Sequence, residues 1–345
     1  MHKPAIAAAK PDGGMIMIKP VTISALLLSA FAATLVMLHA APALAQAPKT
    51  WVSHFGNDGH GCSPGAPCLT FRGALTKTAA GGEIGVIDPG DYGPVTISQA
   101  INITNDGVGE AGILAPSTNG ITIDATAGDV VSLRGLILDG QGSSFAGQGI
   151  LIQQASAVHV QNCLIRNFQG DGGSFAIAFV PSGNSQFFIS NTIIFNNGSI
   201  GLTGGIAVQP AGTGSANVVL DRIHLENNVV AVWVDGGQSA GNGAHVVIRN
   251  GTISGNAGDG IRATTQPGRA PAFVIVEHSS SVNNAGVGIR ADGPRATILL
   301  NDNTITRNGT GIGAVNSGQL ISYGNNEINN NLGSDGAPTG SFRLF

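Results

Sequence analysis

Arg262 and Arg290 stand in two copies of one tetrapeptide, Gly-Ile-Arg-Ala, 28 residues apart, in a chain where only 10% of residues are charged. Two acids and an aromatic fall at matching offsets: Asp292 two residues after Arg290, and Asp235 two residues after Trp233. Arginine forks bind carboxylates, an indole face stacks on apolar rings, and aspartate accepts hydroxyl hydrogen bonds or ligates Ca²⁺. Brought onto one surface, these side chains would suit an acidic carbohydrate, with Trp233, Asp235, Arg262, Arg290 and Asp292 as its contacts. The structural alternative is an exposed lattice of ion pairs that stabilises little.

The other residues with chemical potential are weaker. Cys62 and Cys68 lie in "GCSPGAPCLTF" and read as a disulfide closing a turn in an oxidising compartment. Nearby His54 and His60 do not have the spacing of a zinc site, so no metal is assigned. Cys163 reads as a small apolar filler. Asp88, Asp91, Asp139, Asp171 and Asp259 sit in glycine-rich contexts where turn formation is a sufficient role. No Ser-His-Asp order, phosphate loop or zinc motif can be assembled.

The elements that would position these residues repeat. The copies VHVQNCLIRN, FFISNTIIFNN, NVVLDRIHLENN, HVVIRNGTISGN, FVIVEHSSSVNN and TILLNDNTITRN close on Asn167, Asn197, Asn228, Asn256, Asn284 and Asn308, preceded by Gly140 and followed by Asn331. Their spacings are 27, 30, 31, 28, 28, 24 and 23, which means fixed strands joined by loops of varying length. A second strand follows most copies, reading GILIQ, FAIAF, GIAVQ, AVWVD, GIRAT, GIRAD and GIGAV. Period-two alternation turns Ile150, Ile177, Ile206, Val232, Ile261, Ile289 and Ile312 inward. The next residue of each then points outward: Leu151, Ala178, Ala207, Trp233, Arg262, Arg290 and Gly313. With no sustained helical periodicity, the class is all-β, a single parallel β-helix. Buried runs such as VVSLRGLIL suit parallel sheets better than a sandwich or propeller. Asn162, Asn191, Asp221, Asn250, Asp302 and Asn325 form an apparent bend register, with His278 as an exception.

The ends differ from the repeat. Lys19, the apolar run 21–38 and Ala43-Leu44-Ala45 have the form of a signal peptide over 1–45. The expected segments are then 46–82, with the Cys62–Cys68 turn and a short capping helix inside 67–80; the β-helix, 83–335; and a C-terminal tail, 336–345. Loss of 1–45 leaves 13 basic and 19 acidic residues, a net charge of −6, without a basic stripe. Nucleic acid is therefore not an expected partner, and no membrane span is expected after residue 45.

The helix, "GGEIGVIDPGDYGPVTI" and the Asn-rich coils resemble the pectin-lyase-like right-handed parallel β-helix superfamily over about residues 50–335. The opening "TWVSHFGNDGHGCSPGAPCLTFRGALTKTAAGGEI" is similar to exported bacterial β-helix proteins of mostly unassigned function. The resemblance implies an acidic polysaccharide or cell-surface glycan as partner, with the protein periplasmic, at the cell surface or secreted. It does not carry over a hydrolase: Asn191-Thr192 is followed by Ile193 where that motif needs Asp, there is no Asp-Asp pair, and Gly59-His60-Gly61 precedes the coils. Three functions remain on this reading. They are a carbohydrate binder, a structural or adhesive surface rod, and a divergent Ca²⁺-dependent polysaccharide lyase with Arg262 or Arg290 as its base. An enzyme, if it is one, is expected to be the lyase.

Overall fold

The computed structural model describes residues 46–342 and four isolated positions before them. Apart from those four positions, the expected signal segment lies outside the described residues, as do the last three residues of the tail.

Every paired strand runs parallel to its neighbour one coil away. A typical coil has a long strand, Gly243–Arg249, a bend at Asn250, a short strand, Thr252–Ser254, a corner at Asn256 and a third strand, Ile261–Thr264. Among the described residues, the first two strands of each coil build one sheet of 20 strands, and the third builds a sheet of nine. Neighbouring coils pair residue for residue: Val246 lies beside Val274, and Ile261 beside Ile289. Inward residues such as Ile248, Ile253, Ile261 and Ala263 have no exposed surface and form one continuous core with their counterparts on other coils. All seven residues expected to turn inward on the third strand are buried. The parallel β-helix inferred from the repeat is therefore the fold.

The bend between the first two strands requires a left-handed residue, which asparagine tolerates best among residues with a side chain. Asn162, Asn191, Asn250 and Asp302 take it, with φ between 48° and 55°. Two other positions correct the expected register. Asp221 lies one residue early, and Arg222 adopts the bend at φ 50°. Its guanidinium donates to Asn191 Oδ1 at 2.8 Å and meets Asp221 at 2.7 Å, contacts that help hold an unfavoured conformation. Gly324, not Asn325, bends the last coil. His278 is no exception, having φ 49° in the shared register.

The second corner carries a buried ladder. Each Nδ2 of Asn197, Asn228, Asn256, Asn284 and Asn308 donates to the next Oδ1, at 2.9, 3.3, 2.7, 2.8 and 3.0 Å, ending on Asn331. The same oxygens accept the backbone N–H of the preceding coil's asparagine. Asp335 Oδ1 closes one end, and the amide of buried Phe168 opens the other. Asn167 is thus one residue early as a repeat anchor: its φ of 62° matches Asn196 and Asn227, and Phe168 holds the corner.

This ladder explains the glycine of each Gly-Ile-Arg-Ala copy. A Cβ on Gly260 would lie 2.5 Å from the Gly288 carbonyl oxygen and 3.1 Å from Asn284 Nδ2. A Cβ on Gly288 would lie 2.7 Å from the Gly311 oxygen and 2.8 Å from Asn308 Nδ2. In these two copies the strand enters the sheet hard against the amides, and a side chain does not fit.

At the N-terminal end, Ala47–Val52 pairs with Thr78–Val86, so the strand ladder starts within 46–82. Between them, Cys62 is bonded to Cys68. Helix α1, Phe71–Leu75, is capped by Thr70, whose hydroxyl accepts from Gly73 N, and it buries Phe71, Ala74 and Leu75. Asp58 accepts from Leu69 N, Thr70 N and Thr70 Oγ1. Burial opposes its ionisation, but these bonds and Lys77 hold its pKa below the usual carboxylate value. Asp88 is likewise lowered: burial is outweighed by bonds from Ser53, the His54 amide and Tyr92. In the tail, Gly340–Ser341 pairs with Ile321–Ser322, adding a last strand.

Candidate functional site

The outward column of the nine-stranded sheet is in register from end to end. It reads Thr96, Thr122, Leu151, Ala178, Ala207, Trp233, Arg262, Arg290 and Gly313 on successive coils. The expected neighbours Trp233, Arg262 and Arg290 therefore share one column on adjacent strands.

The column has three zones. In the middle, Phe175, Ala178 and Ala207 are buried together outside the main core, and Leu151 and half-buried Trp233 pack on them. The Trp233 ring lies 6.1 Å from that of Phe175, and its Nε1 donates to Thr264 Oγ1 at 2.8 Å. Beyond Trp233 lies a cluster of two arginines and two aspartates. Asp292 Oδ2 meets Arg262 Nη2 at 2.8 Å and Arg290 Nη2 at 3.3 Å. Asp259 Oδ2 faces the Nη1 atoms of the same arginines at 3.5 and 4.0 Å. Asp292 Oδ1 also accepts from Asn316 Nδ2, and Asp259 Oδ1 accepts from Val287 N. The formal charges cancel, while the Nε atoms of both arginines are buried without a hydrogen-bond partner.

Asp235 departs from its expected part in this group. It pairs with neither arginine: its carboxylate accepts from Gly237 N at 2.8 Å in a local turn, and it is 9% exposed. In the strand register, Thr264 stands between Asp235 and Asp292. Two coil spacings, about 9.6 Å, separate the two carboxylates, too far to share one Ca²⁺.

Asp259 takes the second acidic place, a role beyond turn formation. Strict alternation counted back from Ile261 turns Asp259 inward. The corner breaks that alternation, since Gly260 and Ile261 both face the core and Asp259 is left outward. Ala231 and Val232 show the same doubled inward step, both being buried in the core. A small residue before each inward Ile or Val was the available signal.

At the other end of the same face is a groove of about 440 Å³ that sequence reasoning missed. Its polar lining includes Thr70, Arg72, Thr96, Thr118, Asn119 and Thr122. Thr96 and Thr122 belong to the outward column, but Arg72 and Thr118 reach the groove from other parts of the chain.

The remaining candidates are structural. Cys163 is buried, and burial pushes its thiol up to about 11. Asp139 accepts from Asn167, the Gln141 amide and Arg166; burial opposes its ionisation, yet these partners hold its pKa low. Among the described residues, no group of three or more His, Cys, Asp or Glu is placed to hold a metal ion.

Comparison with known proteins bears on the fold. A search of the curated proteins gives no match. Two solved structures match at low identity. The crystal structure of pectate lyase Pel9A is 14% identical with a TM-score of 0.58, over 79% of this chain and 74% of that one. The native GH136 lacto-N-biosidase from Eubacterium ramulus is 12% identical with a TM-score of 0.41, over 86% of this chain and 68% of that one. Residues 148–332 match the family model described as the right handed beta helix region. They include the whole asparagine ladder to Asn331 and both Gly-Ile-Arg-Ala strands, and the chain belongs to this right-handed β-helix family.

Proposed function

We propose that the protein is an exported carbohydrate-binding β-helix protein, with the outward face of its nine-stranded sheet as the binding surface. The carrying observation is the single in-register column, with hydroxyls and a groove at one end, Trp233 in the middle and Arg262 and Arg290 beyond it. Eight coil steps make it about 38 Å long, a shape suited to an extended chain and not to a compact metabolite. Hydroxyl groups and the Arg72 guanidinium suit sugar hydroxyls and carboxylates, and the exposed part of the indole suits an apolar sugar face. The fold is shared with a pectate lyase, which makes acidic polysaccharide the first ligand class to test.

The ion-pair cluster favours a second reading, the non-catalytic structural or adhesive rod. Two guanidiniums already matched by two carboxylates have little charge left for a ligand. A Ca²⁺-dependent lyase is the third reading and has the least support. Its acids Asp235 and Asp292 lie two coils apart, and its candidate bases are engaged by carboxylates.

One titration separates the three. Purified residues 46–345 are titrated with uronate-containing polysaccharides, with and without Ca²⁺, while the absorbance of unsaturated uronate is followed. Saturable binding that Trp233→Ala or Arg72→Ala weakens at least tenfold, with flat absorbance, is the expected result. Binding equal in parent and variants would sink the proposed surface. Rising absorbance would establish a lyase.

A further inference from the structure

The large sheet has an outward column of a different kind. Glu83, Asn102 and Ser132 occupy its first coils, followed by His159. The next six coils carry Phe188, Val219, Val247, Ile275, Leu299 and Ile321, without a polar residue among them. Each is partly exposed, although strand alternation normally puts polar residues on a solvated face. Five coil spacings make an apolar ribbon of about 24 Å. Contiguous apolar surface is where an interaction site is sought first.

The ribbon has a built edge. Asn217, His245 and Phe273 form the parallel outward column beside it. Between the two columns lies a depression of about 240 Å³, with Val219, Val247 and Ile275 along one side and the rings of Phe188 and Phe273 at its ends. Across the Asn217–His245 ridge is a second depression of about 350 Å³, lined by Ser215, Asn242, Pro271 and Arg295. It is polar where the first is apolar, and no carboxylate lines either one. Arg295 Nη1 donates to the Arg269 carbonyl oxygen, and among the described residues no acid pairs with this guanidinium. Among the described residues, the hydrogen-bond partner of His245 Nε2 is the Asn242 carbonyl oxygen, at 3.3 Å.

We propose that these adjoining depressions form a binding site for a soluble single-chain anionic amphiphile. Its head would face Arg295 and its apolar body would cross the ridge to lie between Phe188 and Phe273. An apolar trough with a few polar groups at one end is the usual form of a small-ligand site. The unpaired guanidinium fixes the sign of the head group, since arginine binds carboxylate, sulfate or phosphate and repels a cation. Residues 215–219 in extended conformation span about 13 Å, enough for a head group and the beginning of an alkyl chain. This site is on the other sheet from the proposed carbohydrate face, and neither reading depends on the other.

The test is calorimetric titration of residues 46–345 with dodecanoate below its micellar range. Dodecyltrimethylammonium and dodecyl maltoside serve as cationic and neutral probes. Saturable one-to-one binding of dodecanoate is expected, at least tenfold tighter than the cation. Arg295→Ala should lose about tenfold for dodecanoate and leave dodecyl maltoside unchanged. Val247→Asp should abolish binding of both, while Val247→Thr, nearly isosteric, keeps the fold and weakens binding of both. Circular dichroism checks each variant for folding. Absence of saturable binding, equal affinity for the cation, or indifference to both Arg295→Ala and Val247→Thr would overturn the site. So would sedimentation of the protein with phosphatidylglycerol vesicles without any binding of monomeric dodecanoate, because the ribbon would then be a membrane contact.

Discussion

The buried asparagine corner and the outward column of the nine-stranded sheet are separated by only a few residues of chain, yet they obey different rules. At the corner, five successive coils place the same amide in the same bonds, and the last passes them to Asn331 and Asp335. On the column, nine coils carry threonine, leucine, alanine, tryptophan, arginine and glycine in turn. A buried amide has no water to fall back on, so each one fixes its neighbours. An outward side chain answers only to its surroundings. Repetition therefore reports on the solenoid, and departures from it show where function can be placed.

The largest effect should come from breaking the corner. Asn256→Ala removes the acceptor of the Asn228 amides and the donor to Asn284 and Leu225. With these groups left dry, a loss of about 3 kcal/mol is expected in urea unfolding. Gly260→Ala tests the same corner from the other side. Its Cβ meets a carbonyl oxygen at 2.5 Å, and overpacking of this kind costs about 2 kcal/mol. A neutral outcome for both would erase the contrast between corner and column.

Arg262→Ala should cost less, about 1 kcal/mol, because Asp292 retains Arg290 and Asn316. A loss near that of Asn256→Ala would instead make the arginine cluster a structural element and weaken its part in binding.

The smallest expected effect is local and depends on pH. The ladder amides do not titrate, whereas the N-terminal end is tied by Asp58 and Asp88, both with lowered pKa values. A carboxyl depressed in the folded state stabilises it above the unfolded value of about 3.9 and loses that contribution as pH falls through the folded value. Hydrogen exchange at pH 2.5, after correction for intrinsic rates, should show residues 53–92 opening before 197–308, the part of the ladder away from the Asp335 carboxylate. Uniform opening along the chain would contradict this division.

Much of the fold could be read from the chain because strands of period two, spaced by one coil, leave a pattern that loops of different length do not erase. The same pattern puts Trp233, Arg262 and Arg290 at one strand position, and the strand register has them side by side. Asp259 comes to the arginines because the corner doubles the inward step before the third strand, so an unbroken alternation gives the wrong side for a residue preceding it; Asp235 keeps its register beside Thr264, but its carboxylate is taken by Gly237 N. Arg222 shows the same limit at the first bend. Its left-handed conformation is disfavoured for arginine, and only contacts with the coil before and with Asp221 make it tolerable.

By itself, the sequence determined the parallel coils, their inward residues and the two asparagine-rich bends, since these follow from alternation, repeat spacing and backbone preference. The tertiary structure decided which acids meet the arginines, where the hydroxyl groove forms and how Arg295 comes beside the apolar ribbon. Asp292 meets Arg262 and Asp259 meets Arg290 across about one coil of chain, through loops of unequal length, and the distance between side chains there is set by stacking, not by spacing along the chain.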